Sequence, residues 1–136
     1  MKNKKFLPLE HMADIKYALF GKSLNEIFEN AVLAFSSYIS SSCGIKPKIK
    51  KYIELESDNS ESLLYKFLDE LIYLLDAEDF AVAKSKVKIE NSKLRATLYG
   101  ESTKKLHLNH VKAATYAEMY VKKSRGSWKA QIVLDV

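Results

Sequence analysis

Two carboxylate side chains near the ends of the sequence are candidates for metal chemistry. Asp14 lies in His11-Met12-Ala13-Asp14-Ile15, ahead of a predicted strand, and Asp135 is the penultimate residue. Hard cations such as calcium and magnesium take several oxygen ligands. Asp135 and the α-carboxylate of Val136 supply two such groups, and Asp14 supplies a third if its loop folds nearby. On spacing alone, the alternative is that Asp135 is a solvated terminal charge.

Two groups of closely spaced lysines are candidates for contact with an anionic partner. They are Lys84, Lys86 and Lys88, on one face of a predicted strand, and Lys46, Lys48, Lys50 and Lys51. One interpretation is a set of phosphate contacts, and the other is a solvated edge that discourages strand-to-strand aggregation. Aromatic residues are not interleaved with these lysines along the sequence, as a stacking platform for single strands would require. The solvated edge is therefore the preferred interpretation.

The common catalytic motifs are absent from the sequence. The four glycines, at positions 21, 44, 100 and 126, form no phosphate-binding loop. There is no Gly-x-Ser-x-Gly elbow, no Cys-x-x-Cys and no His-Glu-x-x-His. His107-x-x-His110 would share one face of a helix, but a polar loop is the preferred interpretation. The sequence therefore predicts a protein that is not an enzyme.

Two amphipathic helices are predicted to position these residues. Ser23-Leu24-Asn25-Glu26 has the pattern of a capping box and starts the first helix, for which Gly44 is the predicted stop. The second helix is predicted to begin near Asp58-Asn59-Ser60-Glu61. Each helix has one broad apolar face, which indicates packing in the core rather than a cofactor site.

The rest of the sequence alternates with a period of two, which predicts six or seven strands. A change of parity between Val82 and Val87 predicts a bulge, and Glu90-Asn91-Ser92-Lys93 predicts a hairpin turn. One continuous strand is predicted from Ala113 to Val121. The predicted fold is α+β, a single domain over residues 1–136, with an antiparallel or mixed sheet and both helices packed on one face.

Composition limits the class of protein. A chain of 136 residues is the length of one domain. Hydrophobic residues make up 47% and charged residues 29%, which excludes intrinsic disorder, and the net charge of +5 points to an anionic partner. The single cysteine, Cys43, cannot form an intramolecular disulfide and is predicted to be a small buried hydrophobe. With no export signal or membrane span in the sequence, we expect a cytoplasmic protein.

Blocks spread over the whole sequence resemble, in order, the motifs of the archease family. The first is the His11–Ile15 segment, similar to a His-Thr-Ala-Asp-Ile signature. The others are Gly21-Lys22-Ser23-Leu24-Asn25-Glu26, Leu63–Leu71, Gly100-Glu101, Val111-Lys112-Ala113-Ala114-Thr115-Tyr116, Trp128-Lys129-Ala130 and the ending Leu134-Asp135-Val136. The resemblance implies a strand-helix-strand-strand module with an inserted segment.

The resemblance also implies a function. Archeases assist the RtcB-type RNA-splicing ligase by promoting its guanylylation and multiple turnover in tRNA splicing, while GTP and manganese belong to the ligase. The family's metal ligands correspond to Asp14, Asp135 and Val136, with Val136 acting through a backbone or terminal oxygen. We expect a divalent cation there, calcium first, with magnesium or manganese as alternatives. His11, Lys112 and Tyr116 either line the same partner surface or pack within the sheet.

The sequence departs from the family pattern at several positions. Met12 replaces a Thr, Ala117 replaces a His, and Val136 replaces an Ile whose side chain is not the ligand. The resemblance implies that RNA is reached indirectly through the ligase, with no membrane and no small-molecule substrate. The alternative function, from another class, is a standalone basic RNA-binding module that uses the lysine groups.

Overall fold

The computed structural model describes residues 4–9, 14–40 and 44–136. His11, Met12 and Cys43 lie outside the described residues, and so do the predictions made for them. The elements, in chain order, are β1 (Phe6–Leu9), β2 (Asp14–Gly21), α1 (Leu24–Ile39), β3 (Ile49–Glu56), α2 (Ser60–Ala77), β4 (Phe80–Glu90), β5 (Lys93–Ser102), β6 (Ala113–Ala114), β7 (Tyr120–Ser124) and β8 (Ser127–Asp135).

The strands form two antiparallel sheets rather than the single sheet predicted from the sequence. One has five strands, in the order β1-β2-β8-β6 with β7 also paired to β8, and the other has three, in the order β3-β5-β4. The α+β class and the two helices are confirmed. The division into two sheets was not predictable from alternation, because period two fixes the faces of a strand and not its partner.

Side-chain caps start both helices. The Ser23 hydroxyl accepts a hydrogen bond from the Glu26 N–H at 3.1 Å, and Glu26 accepts one from the Lys22 N–H at 2.8 Å. In α2 the cap is Asn59, which accepts from the Ser62 N–H at 2.8 Å. The first helix ends at Ile39 with Ser40 as its cap, so the predicted stop at Gly44 comes too late.

Helix α1 joins the two sheets, because its residues contact β2 in one and β4 in the other. Its polar side chains also satisfy the open edge of β4. The Glu29 carboxylate accepts from the Val87 N–H, and the Asn25 amide oxygen accepts from the Ile89 N–H, each at 2.9 Å. Phe28 of α1 packs against Phe67 of α2, with 5.5 Å between the ring centroids. Burial of these apolar side chains is the main stabilising term of the fold.

The segment predicted as one strand from Ala113 to Val121 consists of two short strands separated by a turn. β6 covers Ala113–Ala114 and β7 covers Tyr120–Ser124, and both pair with β8. The Met119 N–H donates to the Tyr116 carbonyl at 3.1 Å, and Glu118 has a φ of 63°. A positive φ at a non-glycine residue is rare inside a strand, so the alternation in this segment did not reveal the turn.

Strand β1 was missed because its four residues contain Pro8. Proline cannot donate to the ladder and is confined to edge strands, bulges and strand starts. β1 is an edge strand on β2, with Leu7 opposite Ala18. Among the described residues, neither helix combines the length and apolar character needed to cross a membrane.

The predicted bulge lies between Val82 and Lys84, and the predicted hairpin turn connects β4 to β5. Asn91 and Ser92 have φ values of 51° and 66° in that turn. Gly100 lies opposite Val82 next to the bulge, where a Cβ atom would be 2.0 Å from the Ala81 carbonyl oxygen. Only a glycine permits this approach of two backbones.

We expect Gly100→Ala to lower the free energy of unfolding by about 2 kcal/mol or more, since overpacking costs about 1–3 kcal/mol. Gly21→Ala is the matched control, because its nearest contact would be the Glu26 Cβ at 3.1 Å. Urea unfolding of both variants measures the difference. Equal stability of the two variants would contradict this account of the bulge.

Candidate metal centre

Antiparallel pairing of β2 with β8 places the two candidate carboxylates side by side. Asp14, the first residue of β2, is directly opposite Asp135, the last residue of β8. Directly opposed residues have Cβ atoms about 4.5–5.5 Å apart and project from the same face of the sheet. Their neighbours Ile15 and Leu134 pack in the core, so Asp14 and Asp135 lie on the other face.

Strand β6 pairs with β8 next to Asp135, on the side of β8 opposite β2. Ala113 is opposite Asp135, and the Lys112 N–H donates to the Asp135 carbonyl at 2.8 Å. Asp14, Asp135 and Val136 are all half-buried. The structure therefore brings together the three residues predicted from the sequence, at one end of the central strand pair.

An ion pair lies one step further along the same face, with its acidic member exposed. Lys16 is opposite Val133, and its ammonium forms an ion pair with the Glu118 carboxylate. The Lys16 side chain is only 15% exposed. The Gln131 amide donates to the Glu118 carbonyl at 2.7 Å, which ties the β6–β7 turn to β8. Sequence reasoning missed this pair, because 102 positions separate its members and no local pattern links them.

The core face of β2 contributes no charge to this end of the sheet. Tyr17 is buried there, opposite Ile132. Burial raises the pKa of the Tyr17 hydroxyl, and the nearby Tyr38 hydroxyl raises the pKa further. The Tyr17 hydroxyl is therefore neutral at physiological pH.

Two opposed carboxylates repel each other, and a hard cation relieves this repulsion while taking their oxygens as ligands. Within residues 4–9, 14–40 and 44–136, no three His, Cys, Asp or Glu side chains are grouped closely enough to hold a metal ion. A site at Asp14 and Asp135 therefore has two carboxylate side chains and needs main-chain, terminal or water oxygens as well.

The other candidate residues predicted from the sequence are Tyr116, Lys112, His107 and His110. Tyr116 turns toward α2, where its ring stacks on Tyr65 with 4.2 Å between centroids and its hydroxyl donates to the Ser62 Oγ at 3.3 Å. These contacts agree with the packing interpretation of Tyr116, although its surface is 54% exposed. The Lys112 side chain is exposed beside the site. His107 and His110 belong to a loop rather than a helix, so they share no helical face.

The chain is similar to known proteins in sequence and in fold. A model of the archease protein family matches residues 6–136. The archease of Pyrococcus furiosus is 40% identical over 135 residues, covering 93% of this chain and 95% of the relative.

Two solved structures are also similar to the chain. A protein of Methanobacterium thermoautotrophicum has a TM-score of 0.79 at 29% identity, with 97% of this chain and 99% of that chain covered. A Thermotoga maritima protein, described as an archease and "possible chaperone", has a TM-score of 0.70 at 23% identity, with 99% and 100% covered.

We expect Tyr116→Ala to lower the free energy of unfolding by about 1 kcal/mol, because an aromatic pair contributes about 0.5–1.5 kcal/mol beyond its buried area. Tyr73→Ala is the control, since Tyr73 lies on α2 and is also about half exposed, at 52%. Thermal unfolding measures both effects. An unchanged melting temperature for Tyr116→Ala would contradict a packing role.

Proposed function

Because the chain belongs to the archease family, we propose that it is an accessory protein that activates an RtcB-type RNA-splicing ligase. In this proposal it promotes guanylylation and multiple turnover of the ligase during tRNA splicing in the cytoplasm, and it has no catalytic activity of its own. The observation that supports the proposal is the register that sets Asp14 opposite Asp135. GTP, manganese and the RNA ends belong to the ligase.

The proposed cation site consists of the Asp14 and Asp135 carboxylates and an oxygen of Val136. A hard divalent cation fits this donor set, with calcium first because its coordination is flexible and includes backbone oxygens, and magnesium or manganese as alternatives. When bound, such a cation supplies a local positive charge that exceeds that of any single side chain nearby.

In this proposal, the neighbouring strands hold the cation ligands in position. The β2–β8 ladder holds the two carboxylates at a fixed separation, and the hydrogen bond from Lys112 holds the main chain of Asp135. All three proposed ligands are half-buried rather than enclosed, so a partner protein can approach them. In the proposal, this sheet end docks beside the active site of the ligase and places charge where guanylylation occurs.

We expect Asp14→Asn and Asp135→Asn each to abolish stimulation of ligase guanylylation while leaving the protein folded. The substitution keeps the size of the side chain and removes the charge that a hard cation requires. Transfer of the GMP moiety from labelled GTP to the ligase, with and without the accessory chain, measures the effect. Asp69→Asn, at an exposed position on α2, is the control and keeps full stimulation.

If both substituted proteins stimulate the ligase as well as the unsubstituted chain does, the proposed site is wrong. If only ligase pull-down is lost and stimulation by excess protein persists, the two carboxylates serve docking rather than activation.

Calcium binding gives a readout that does not depend on the ligase. A ligand at 100 times its Kd stabilises the folded state by about 2.7 kcal/mol, which corresponds to a rise in melting temperature of about 10 °C for a domain of this size. We expect this rise for the unsubstituted chain and for Asp69→Asn, and none for Asp14→Asn or Asp135→Asn. A calcium effect that survives both substitutions would place the cation elsewhere.

The ligand atom of Val136 can be tested in the same titration. A short Gly/Ser tail added after Val136 replaces an α-carboxylate with a peptide carbonyl. Weakened calcium binding would assign the ligand to a terminal carboxylate, and unchanged binding would leave the backbone oxygen as the candidate.

A further inference from the structure

The outer face of the three-stranded sheet carries a dense array of basic and aromatic side chains. Leu94, Ala96 and Leu98 of β5 are buried in the core, so the alternating residues of β5 project from the opposite face. The residues paired with them on β3 and β4 share this face. We call this surface, without its last row of Glu56, Lys93 and Glu90 beside the β4–β5 turn, the platform. Its members are Lys50, Tyr52, Glu54, Lys84, Lys86, Lys88, Arg95, Thr97 and Tyr99.

The register arranges the platform in rows across the three strands. Lys50, Tyr99 and Lys84 form the first row, and Tyr52, Thr97 and Lys86 form the second, each running from β3 through β5 to β4. In the third row Arg95 lies between Glu54 and Lys88, and its guanidinium contacts the Glu54 carboxylate at 3.0 Å. The first two rows contain only basic, aromatic and hydroxyl side chains. Acidic side chains enter this face in the third row and in the row beyond it, where Lys93 lies between Glu56 and Glu90.

Two tyrosine rings are available in the first two rows. Tyr52 is 74% exposed, the largest exposure among the large hydrophobic side chains described. The Lys50 and Lys84 ammonium groups lie 5.9 and 5.6 Å from the centroid of the half-buried Tyr99 ring. Cations within about 6 Å of an aromatic centroid are attracted to the ring face. The platform therefore places positive charge next to ring surfaces, from strands on both sides.

This arrangement corrects the expectation drawn from the sequence. Along β4 no aromatic residue separates Lys84, Lys86 and Lys88, which argued against a stacking platform. In the sheet, the aromatic residues come from the neighbouring strands β3 and β5. Lysines and tyrosines are therefore interleaved in space although they are not interleaved in sequence.

The positive surface continues beyond the platform. Lys84 also lines a cleft of about 960 Å³ beside the start of α1 and the β7–β8 hairpin. Five further basic residues line that cleft, namely Lys4, Lys5, Lys22, Arg125 and Lys129. Its two acidic residues are engaged within the protein, because Glu26 accepts from the Lys22 N–H and Glu29 accepts from the Val87 N–H. A polyanion that crosses the platform would thus find further cations along the cleft.

We propose that the platform binds single-stranded nucleic acid, with bases stacked on Tyr52 and Tyr99 and phosphates contacted by the surrounding lysines. The exposed Tyr52 ring and the accessible part of the half-buried Tyr99 ring offer stacking surface that every base can use. The charges follow the nucleic-acid backbone. Its test needs only the chain and an oligonucleotide, so the inference is independent of the proposed ligase activation.

We expect a fluorescently labelled 12-nucleotide oligouridylate to bind the chain, as measured by anisotropy at several salt concentrations. Loss of one stacking contact weakens binding about fivefold to a hundredfold, so Tyr52→Ala has an effect of this size. Tyr73→Ala on α2, at 52% exposure, is the matched control and leaves the affinity unchanged. Thermal unfolding confirms that both variants are folded.

Charge is tested separately from stacking. Each phosphate contact with a single strand contributes about 0.7 to the slope of log K against log salt. A triple Lys84, Lys86 and Lys88→Gln variant should therefore lower the magnitude of the slope by about 2. A triple Lys104, Lys105 and Lys122→Gln variant removes the same charge from exposed positions outside the platform and keeps the original slope.

Any one of several results would overturn the proposal. They include no binding of the oligouridylate at low salt, equal effects of the two triple variants on the salt slope, an oligouridylate affinity that Tyr52→Ala leaves unchanged, and equal affinity for a duplex. If the platform variants lose association with the ligase while oligouridylate binding is unchanged, the face docks a protein and the nucleic-acid proposal is wrong. Asp14→Asn should retain oligouridylate binding, so failure of the activation proposal is distinguishable.

Discussion

The pairing of β2 with β8 is the constraint on which the rest of the structure depends. It joins strands from the two ends of the sequence at the centre of the five-stranded sheet, with β1 on one side and β6 and β7 on the other. Because side chains alternate, a slip of one residue would turn Leu134 toward solvent and Asp135 into the core. The burial of Leu134 and Ile132, both fully buried, therefore keeps Asp135 on the same face of the sheet as Asp14. The apolar core thus sets the face that the acidic pair occupies.

Helix α1 connects the five-stranded sheet to the three-stranded sheet. It packs on β2 and also satisfies the N–H groups of Val87 and Ile89 along the edge of β4. An unpaired strand edge invites pairing with another chain, and here Glu29 and Asn25 occupy it. With one edge held by α1 and the core face filled, the remaining face of β3, β5 and β4 carries the polar side chains. The platform thus faces outward because α1 and α2 both pack on the other face of this sheet.

Local features of the fold were predictable from the sequence, and long-range ones were not. Ser23, the Val82 bulge and the Asn91-Ser92 turn each act through neighbouring residues, so their signals lie within a few positions. The Lys16–Glu118 ion pair and the placement of Tyr52 and Lys86 in one row, on either side of Thr97, depend on strand pairing. Alternation does not specify that pairing. The Glu118 turn was hidden because the residues around it still alternate. For the candidate site, the resemblance identified Asp14 and Asp135, but only the register showed that they are opposed.

The net charge of +5 is an overall value, and two surfaces of the protein differ in the sign of their local charge. The platform has five basic side chains and one acidic one, whereas the end of the β2–β8 pair presents two opposed carboxylates. At physiological ionic strength, exposed charges separated by more than about 8 Å are largely screened from each other. The two surfaces also lie on different sheets and use different residues. In the two proposals each surface attracts its own partner, a polyanion on one sheet and a divalent cation on the other. A substitution on one surface should then leave the other unchanged.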